Sequence, residues 1–356
     1  MEIGYQKFFL GANSCEGFVS HFGDCYDITD GWRAYIIKGG PGTGKSSFMK
    51  FMAARAHDMG YSVVLCPCSS DPSSLDGIII EDTKTVFLDG TAPHIVEPKL
   101  AGACEQLINL GEFWDSEALF ERSGEILAAT RRNSALHKTA SGYLRAAGLL
   151  MSESLRRAAD CTDTARVLGF ADGLCQRKLP KKRLGKGREW VRFIGAVTPV
   201  GVIGYSKSTA QLCQNRVIVS DAHGSVSGII MQSVRERALS LGYEIITLKN
   251  PFLPSTLIDH ILIPELSLGF FTENPYITFD TPDRRIHESR FIDTEKQRLT
   301  RQRVRFVDRT ARELILAACK TLSDAKASHD ELEKYYIDAM DFAAVSLYAE
   351  EIAENL

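Results

Sequence analysis

Gly39-Gly40-Pro41-Gly42-Thr43-Gly44-Lys45-Ser46 fits the phosphate-binding pattern G-x-x-x-x-G-K-[ST]. Ahead of it, Tyr35-Ile36-Ile37-Lys38 reads as a short buried strand. Behind it, Ser46 to His57 predicts a helix with Phe48, Met52 and Ala56 on one face. Strand, glycine loop and helix are the context in which such a loop curls backbone N–H groups around phosphate oxygens. The helix N-terminus adds its positive dipole. In that geometry Lys45 reaches the β- and γ-phosphates and the Ser46 hydroxyl ligates Mg²⁺. The expected nucleotide-binding residues are Gly39, Gly40, Pro41, Gly42, Thr43, Gly44, Lys45, Ser46 and Ser47.

The chain also repeats itself once. Phe9-Leu10-Gly11-Ala12 returns as Phe193-Ile194-Gly195-Ala196, and Met59-Gly60-Tyr61 as Leu241-Gly242-Tyr243. Ile78-Ile79-Ile80-Glu81-Asp82 returns as Ile261-Leu262-Ile263-Pro264-Glu265. Glu125 to Ala129 returns as Leu314 to Ala318. The offset stays near half the chain length, which indicates duplication of one large unit. The expected fold is α/β: two duplicated P-loop-type three-layer α/β cores, each mostly parallel and each followed by a helical arm. The expected units are residues 1–176, with an arm at about 101–164, a basic linker at 177–190, and residues 191–356, with an arm at about 286–356. Leu119–Ala129 and His137–Arg157 suggest an antiparallel helix pair within the first arm.

The halves differ where chemistry is expected. In the second, Arg216-Val217-Ile218-Val219 precedes Ser220-Asp221-Ala222-His223-Gly224-Ser225-Val226-Ser227. Aligned directly, Val226 replaces Lys45 and Ser225 replaces Gly44, while Asp221 puts negative charge where phosphate would sit. The second half therefore reads as a copy that binds no nucleotide.

Thr85-Val86-Phe87-Leu88-Asp89 is an apolar strand ending in an acid, the pattern of the residue that holds Mg²⁺ beside a phosphate loop. Its counterpart is Thr272. Lys45 and Asp89 are the candidate catalytic residues, Ser46 and Asp89 the candidate metal ligands. No Glu follows Asp89, so the general base is sought among Asp71, Asp76, His94 and Glu97. Arg131, Arg132, Arg284, Arg285 and Arg290 are candidates for a charge-stabilising arginine. The polar stretch Ser69 to Asp76 reads as a loop.

Composition sets bounds on partners. The chain has 356 residues, 44% of them hydrophobic, and a net charge of −3. That balance gives no bulk drive toward nucleic acid. No apolar run is long enough to cross a membrane, and Met1 to Phe18 lacks the pattern of a signal peptide. Nine cysteines form no evident metal or disulfide framework; with a nucleotide site, reduced thiols and a cytoplasmic setting are expected. No Asn-Lys-x-Asp run selects guanine, so ATP is favoured over GTP.

Together with the loop, Ser70-Asp71-Pro72-Ser73-Ser74-Leu75-Asp76, Asp89-Gly90-Thr91-Ala92-Pro93-His94 and Leu110-Gly111-Glu112-Phe113-Trp114 resemble uncharacterised bacterial proteins with tandem P-loop ATPase-like halves, best represented in spore-forming Gram-positive lineages. Such relatives keep a phosphate loop in both halves, and this chain departs at Ser220 to Ser227. The resemblance implies a P-loop fold and ATP binding, with no known substrate. The leading expectation is Mg²⁺-dependent ATP hydrolysis at one intact site, coupled to the helical arms as candidate surfaces for a protein partner. The alternatives are phosphoryl transfer to a small-molecule acceptor and a non-catalytic ATP-gated interaction module.

Overall fold

The computed structural model describes residues 5–181, 185–279, 285–354 and 356. The first half contains β1 (Gln6–Lys7), the hairpin β2 (Gly11–Ser14) and β3 (Gly17–Ser20), β4 (Arg33–Lys38), α1 (Lys45–Asp58), β5 (Val63–Pro67), β6 (Leu75–Ile80), β7 (Thr85–Asp89), β8 (Glu105–Asn109), α2 (Ser116–Glu121), α3 (Ser123–Asp160) and α4 (Thr164–Lys178). The second contains β9 (Arg188–Arg192), the hairpin β10 (Gly195–Thr198) and β11 (Gly201–Gly204), α5 (Ser206–Leu212), β12 (Asn215–Ser220), α6 (Ser227–Ser240), β13 (Glu244–Lys249), β14 (Ile258–Ile263), β15 (Leu268–Glu273), β16 (Arg285–His287), α7 (Thr294–Ile337) and α8 (Phe342–Ala353).

The duplication is visible in the topology. One six-stranded sheet has the order β1-β5-β6-β7-β4-β8, the other β9-β13-β14-β15-β12-β16. Each is parallel except for its third strand, β6 or β14, which runs against both neighbours. The sheets are thus mostly parallel, as expected.

The layering is not the expected one. Side chains alternate along each strand, so Ala34 and Ile36 of β4 face one way and Tyr35 and Ile37 the other. Tyr35 and Ile37 pack under α1. Ala34 and Ile36 instead join Val86 and Leu88 against Ile218, Ile246, Leu262 and Phe271 of the second sheet. The sheets bury one face against each other and the other against helices. The result is a four-layer α/β/β/α arrangement with a shared core, in place of two separate three-layer cores. Strands covered on both faces need apolar residues at nearly every position, which is what Tyr35-Ile36-Ile37 and Thr85-Val86-Phe87-Leu88 supply.

The arms also depart from expectation. Residues 101–164 are not helical throughout: β8 lies within them, and α3 is one helix of 38 residues. Its antiparallel partner is α7, from the other half. Arg122 reaches Asp338 at 3.5 Å, Arg132 bonds Ser328 and Glu331, and Ser154 donates to Asp308 at 2.7 Å. The second arm likewise opens with strand β16, its long helix starting only at Thr294. Of the basic linker, Arg177 and Lys178 end α4 and Arg188 opens β9; residues 182–184 lie outside the described residues.

Each half then lends its last helix to the other. Val167, Ala171 and Leu174 of α4 pack with Ile230, Met231 and Val234 of α6. Val345, Ala349 and Ala353 of α8 pack with Met49, Met52 and Ala53 of α1. The crossings are pinned alike. Asp115 N–H donates to Ala339 and Asp341 N–H to Phe113, while Asp293 N–H donates to Cys161 and Asp163 N–H to Phe291.

Candidate functional site

The loop from Gly39 to Gly44 joins the end of β4 to the first turn of α1, at the carboxyl end of the parallel strands where open α/β sheets bind ligands. Gly42 (φ +70°) and Gly44 (φ +89°) are left-handed, a conformation that costs glycine little. Lys45 Nζ donates to the carbonyls of Gly39 (3.1 Å) and Gly40 (2.8 Å), and Thr43 Oγ1 donates to Gly40 (2.9 Å). Lys45 Nζ also lies 3.7 Å from Asp89 Oδ2, because β4 and β7 pair in parallel with Ile37 opposite Asp89. The Ser46 hydroxyl accepts from Leu75 N–H at 2.9 Å. Ser47 is exposed on α1, and Pro41 is half-buried.

Asp76 was expected on a loop and instead lies in β6, one pair outward from the Gly77–Leu88 match, beside Asp89. His94 comes from the segment after β7, its ring stacked on Phe22 at 4.4 Å and 7°. His94 Nε2 is 3.8 Å from Asp89 Oδ1 and 3.9 Å from Asp76 Oδ1. All three residues are buried. Burial pushes the Asp76 carboxyl up to about 6; His94 and Lys45 oppose the shift and Asp89 adds to it.

The other candidates are engaged elsewhere. Asp71 accepts from Ser73 N–H and the hydroxyls of Ser73 and Ser74, and meets Lys326 of α7 at 3.5 Å. It shapes its own turn. Glu97 is bound by Lys38 at 2.7 Å. Arg132 pairs with Glu331 and Arg285 with Glu273, and Arg290 lies over Phe170 and Phe291. Arg131 is exposed on α3. Arg284 lies outside the described residues.

Residues of the second half, which the sequence did not single out, border the loop. A Cβ on Gly40 would stand 2.7 Å from the Tyr336 ring, and one on Gly42 2.7 Å from the Glu333 carbonyl. His329 Nε2 lies 3.4 Å from the Glu333 carboxyl and holds it below its usual range. Nothing local links residue 42 to residue 333; the antiparallel α3–α7 pairing and the docking of α8 on α1 bring them together.

In the second half, strand register confirms Thr272 as the counterpart of Asp89. The loop alignment needs correction by one residue. β4 and β12 have equal length, as do α1 and α6, so Lys45 corresponds to Ser227, Gly44 to Val226 and Gly39 to Asp221. Asp221 does more than repel phosphate. Its Oδ1 accepts from His223 N–H (3.1 Å) and Gly224 N–H (3.0 Å), its Oδ2 from Val226 N–H (2.7 Å) and Ser227 N–H (2.8 Å). A carboxylate already occupies the cradle. Burial works against its charge, but bonds from Glu288 and the loop N–H groups hold Asp221 below the usual carboxylate range. Burial first, then the neighbouring Asp221 carboxylate, pushes Glu288 up to about 9. The adjoining groove of about 350 Å³ is lined by Asp221, Glu273 and Glu288, unsuited to a polyanion.

One acid is common to both halves. Asp76 corresponds to Asp259, and Cys68 to Asn250. Cys68 neighbours Asp76, its thiol pushed up by burial and then by that carboxyl, and receives Ser70 N–H at 3.4 Å. Asn250 bonds both oxygens of Asp259 at 3.1 Å while receiving Phe252 and Leu253 N–H at 2.9 Å. The pair fixes the loop after β5 or β13 in each half. Lys45, Asp89 and His94 have no such counterparts: Ser227, Thr272 and Ile277 stand in their places.

No family model matches the chain, and neither curated proteins nor solved structures gave a match. Among the described residues, no helix is long and apolar enough to cross a membrane.

Proposed function

We propose that the chain is a P-loop ATPase with one nucleotide site, at Gly39 to Ser47, and that its second half is a non-binding scaffold or regulator. The observation that carries this is the placement of Lys45 at the first position of α1, behind a left-handed glycine loop and 3.7 Å from Asp89 on the neighbouring strand. A triphosphate in the loop would draw the Lys45 ammonium from the Gly39 and Gly40 carbonyls to its own oxygens. Mg²⁺ would then sit between those oxygens, Ser46 and Asp89. With Asp71 and Glu97 engaged elsewhere, Asp76 and His94 are left as groups to orient or deprotonate the attacking water.

A second reading, an ATP-gated module without turnover, is favoured by the close seating of Tyr336 and Glu333 of α7 against Gly40 and Gly42. Phosphate entry would compete with that contact and be felt along α7.

Calorimetry with ATP and Mg²⁺ on Lys45→Ala tests the assignment. Removal of a charge-assisted contact is expected to weaken binding by about 10-fold or more, with the circular dichroism spectrum unchanged. Equal affinity in the variant and the parent would sink the phosphate-loop reading.

A further inference from the structure

Asp76 Oδ, Asp89 Oδ and a His94 ring nitrogen lie within 4.8 Å of one another. They converge because the reversed strand β6 brings Asp76 alongside the end of β7, and the chain after β7 folds back over both. The His94 ring is 6% exposed, and neither of its nitrogens has a hydrogen-bond partner among the described residues. A neutral imidazole carries one N–H donor and one acceptor lone pair, and an imidazolium two donors, so in either form both nitrogens seek a partner. A buried imidazole with both nitrogens unpaired therefore calls for a ligand. The Phe22 stack fixes the ring plane, and Nε2 points at the two carboxyl groups from 3.8 and 3.9 Å, too far for hydrogen bonds.

Those spacings suit a cation. Ligand atoms about 2.0–2.2 Å from one metal ion stand about 3.0–3.5 Å apart, so the two His94–carboxyl distances need to shorten by less than about 1 Å, and no pair in the triad, all within 4.8 Å, by more than about 2 Å. We propose that Asp76, Asp89 and His94 form a site for one divalent transition-metal ion, of the Mn²⁺, Fe²⁺, Co²⁺ or Zn²⁺ class, beyond the Mg²⁺ expected of a phosphate loop. The imidazole sets the class. Mg²⁺ takes oxygen ligands and keeps its waters, whereas a nitrogen donor beside two carboxyl groups favours the later divalent ions.

The second half is an internal control. It keeps the loop-fixing acid, as Asp259, but has Thr272 and Ile277 where Asp89 and His94 stand. Had those two residues been needed only for packing, the copy would have no reason to lose both. Its His260 is buried too, but its Nδ1 receives Thr272 N–H at 3.1 Å, and among the described residues it belongs to no cluster of three groups that could hold a metal. One ion per chain is expected. The ion competes with Lys45 for Asp89, so withdrawal of Lys45 onto a phosphate would strengthen metal binding. The triad itself needs no nucleotide, and the proposal stands apart from the ATP reading.

The test is titration of the metal-free full chain with Co²⁺, without nucleotide, following the visible absorption of the bound ion and the heat of binding. One equivalent is expected. His94→Phe, which keeps the stack on Phe22, and Asp89→Asn should each weaken binding at least about tenfold, with folding checked by circular dichroism. Lys45→Ala should bind Co²⁺ as well as or better than the parent. Absence of Co²⁺ binding in the parent overturns the site. So does equal affinity in whichever of His94→Phe and Asp89→Asn folds, or loss of binding in Lys45→Ala. If neither ligand variant folds without metal, failure of Co²⁺ to raise the parent's melting temperature overturns it. Co²⁺ binding in a chain that takes no ATP would leave the metal site standing and remove the nucleotide reading alone.

Discussion

Phe9 and Phe193 exchange both backbone hydrogen bonds, each N–H donating to the other's carbonyl at 2.9 Å. They are the same residue of the repeated unit. Phe9 stacks on Tyr205 at 5.0 Å, and Phe193 lies 5.2 Å from His21, the counterpart of Tyr205. A reciprocal bond of this kind is what a two-fold axis produces at the residue on it. The duplication therefore built the equivalent of a symmetric dimer within one chain.

The shared sheet-to-sheet core follows from that axis. Phe271 is fully buried where the two sheets meet. Phe271→Ala should cost about 3–5 kcal/mol. The loss should appear in one transition. Trp32 and Trp190, 5.5 Å apart and one from each half, report on the same interface. Tryptophan fluorescence and far-ultraviolet circular dichroism should melt together before and after the substitution. Two separated transitions would mean that each half is stable alone.

Nucleotide stoichiometry should be one ATP per chain. The four N–H groups that would cradle a second phosphate are bonded to Asp221, and Ser227 supplies no cation. Calorimetry should give one site in the parent and, in Lys45→Ala, at most that site weakened. A second site in the parent, or a site of undiminished affinity in the variant, would show that the second loop releases Asp221.

Asp89→Asn keeps the shape of the side chain and its acceptor for Thr91 N–H, at 2.9 Å in the parent, but removes the charge. ATP turnover should fall below detection and the Mg²⁺ dependence of binding should flatten, while metal-free nucleotide binding survives. If turnover is unaffected and Asp76→Asn abolishes it, Asp76 is the acid that holds the metal.

Glu288 gives a pH signature. Its folded-state value, raised to about 9, lies above the unfolded value near about 4.3. The folded chain therefore binds the extra proton across that window, and the stability this contributes is present at low pH and lost as pH rises toward 9. Glu288→Gln is neutral throughout and can still donate to Asp221. Its melting temperature should exceed the parent's increasingly from about pH 5 to 9. Parallel curves would place the proton elsewhere.

The strand, loop and first helix were legible because their signals are local: an apolar run, glycines, then helical periodicity. The repeat was legible because equal-length cores kept a near-constant offset. β8 was not, since Glu105-Gln106-Leu107-Ile108-Asn109 lacks the β-branched run of a central strand, and its buried Glu105 is satisfied at long range by Tyr26 at 2.5 Å. Asp76 read as loop because a polar residue in a strand needs a partner, and Cys68 is a partner no pattern predicts. The apolar stripes of α3 and α7 told that each helix is covered, not by what. At Asp221 the sign of the charge was legible. Its position, inside the cradle and hydrogen-bonded by it, required the fold.

The crossing of α4 and α8 sets an order on biosynthesis. The first sheet is complete once residue 109 has left the ribosome, yet Met49, Met52 and Ala53 are still without their cover from Val345, Ala349 and Ala353. For more than half of translation the nascent chain carries a half-finished apolar layer. The phosphate loop lies at its edge, awaiting Tyr336 and Glu333. A chain released before residue 342 would therefore present that layer to other proteins, and the nascent first half is a natural client for a chaperone.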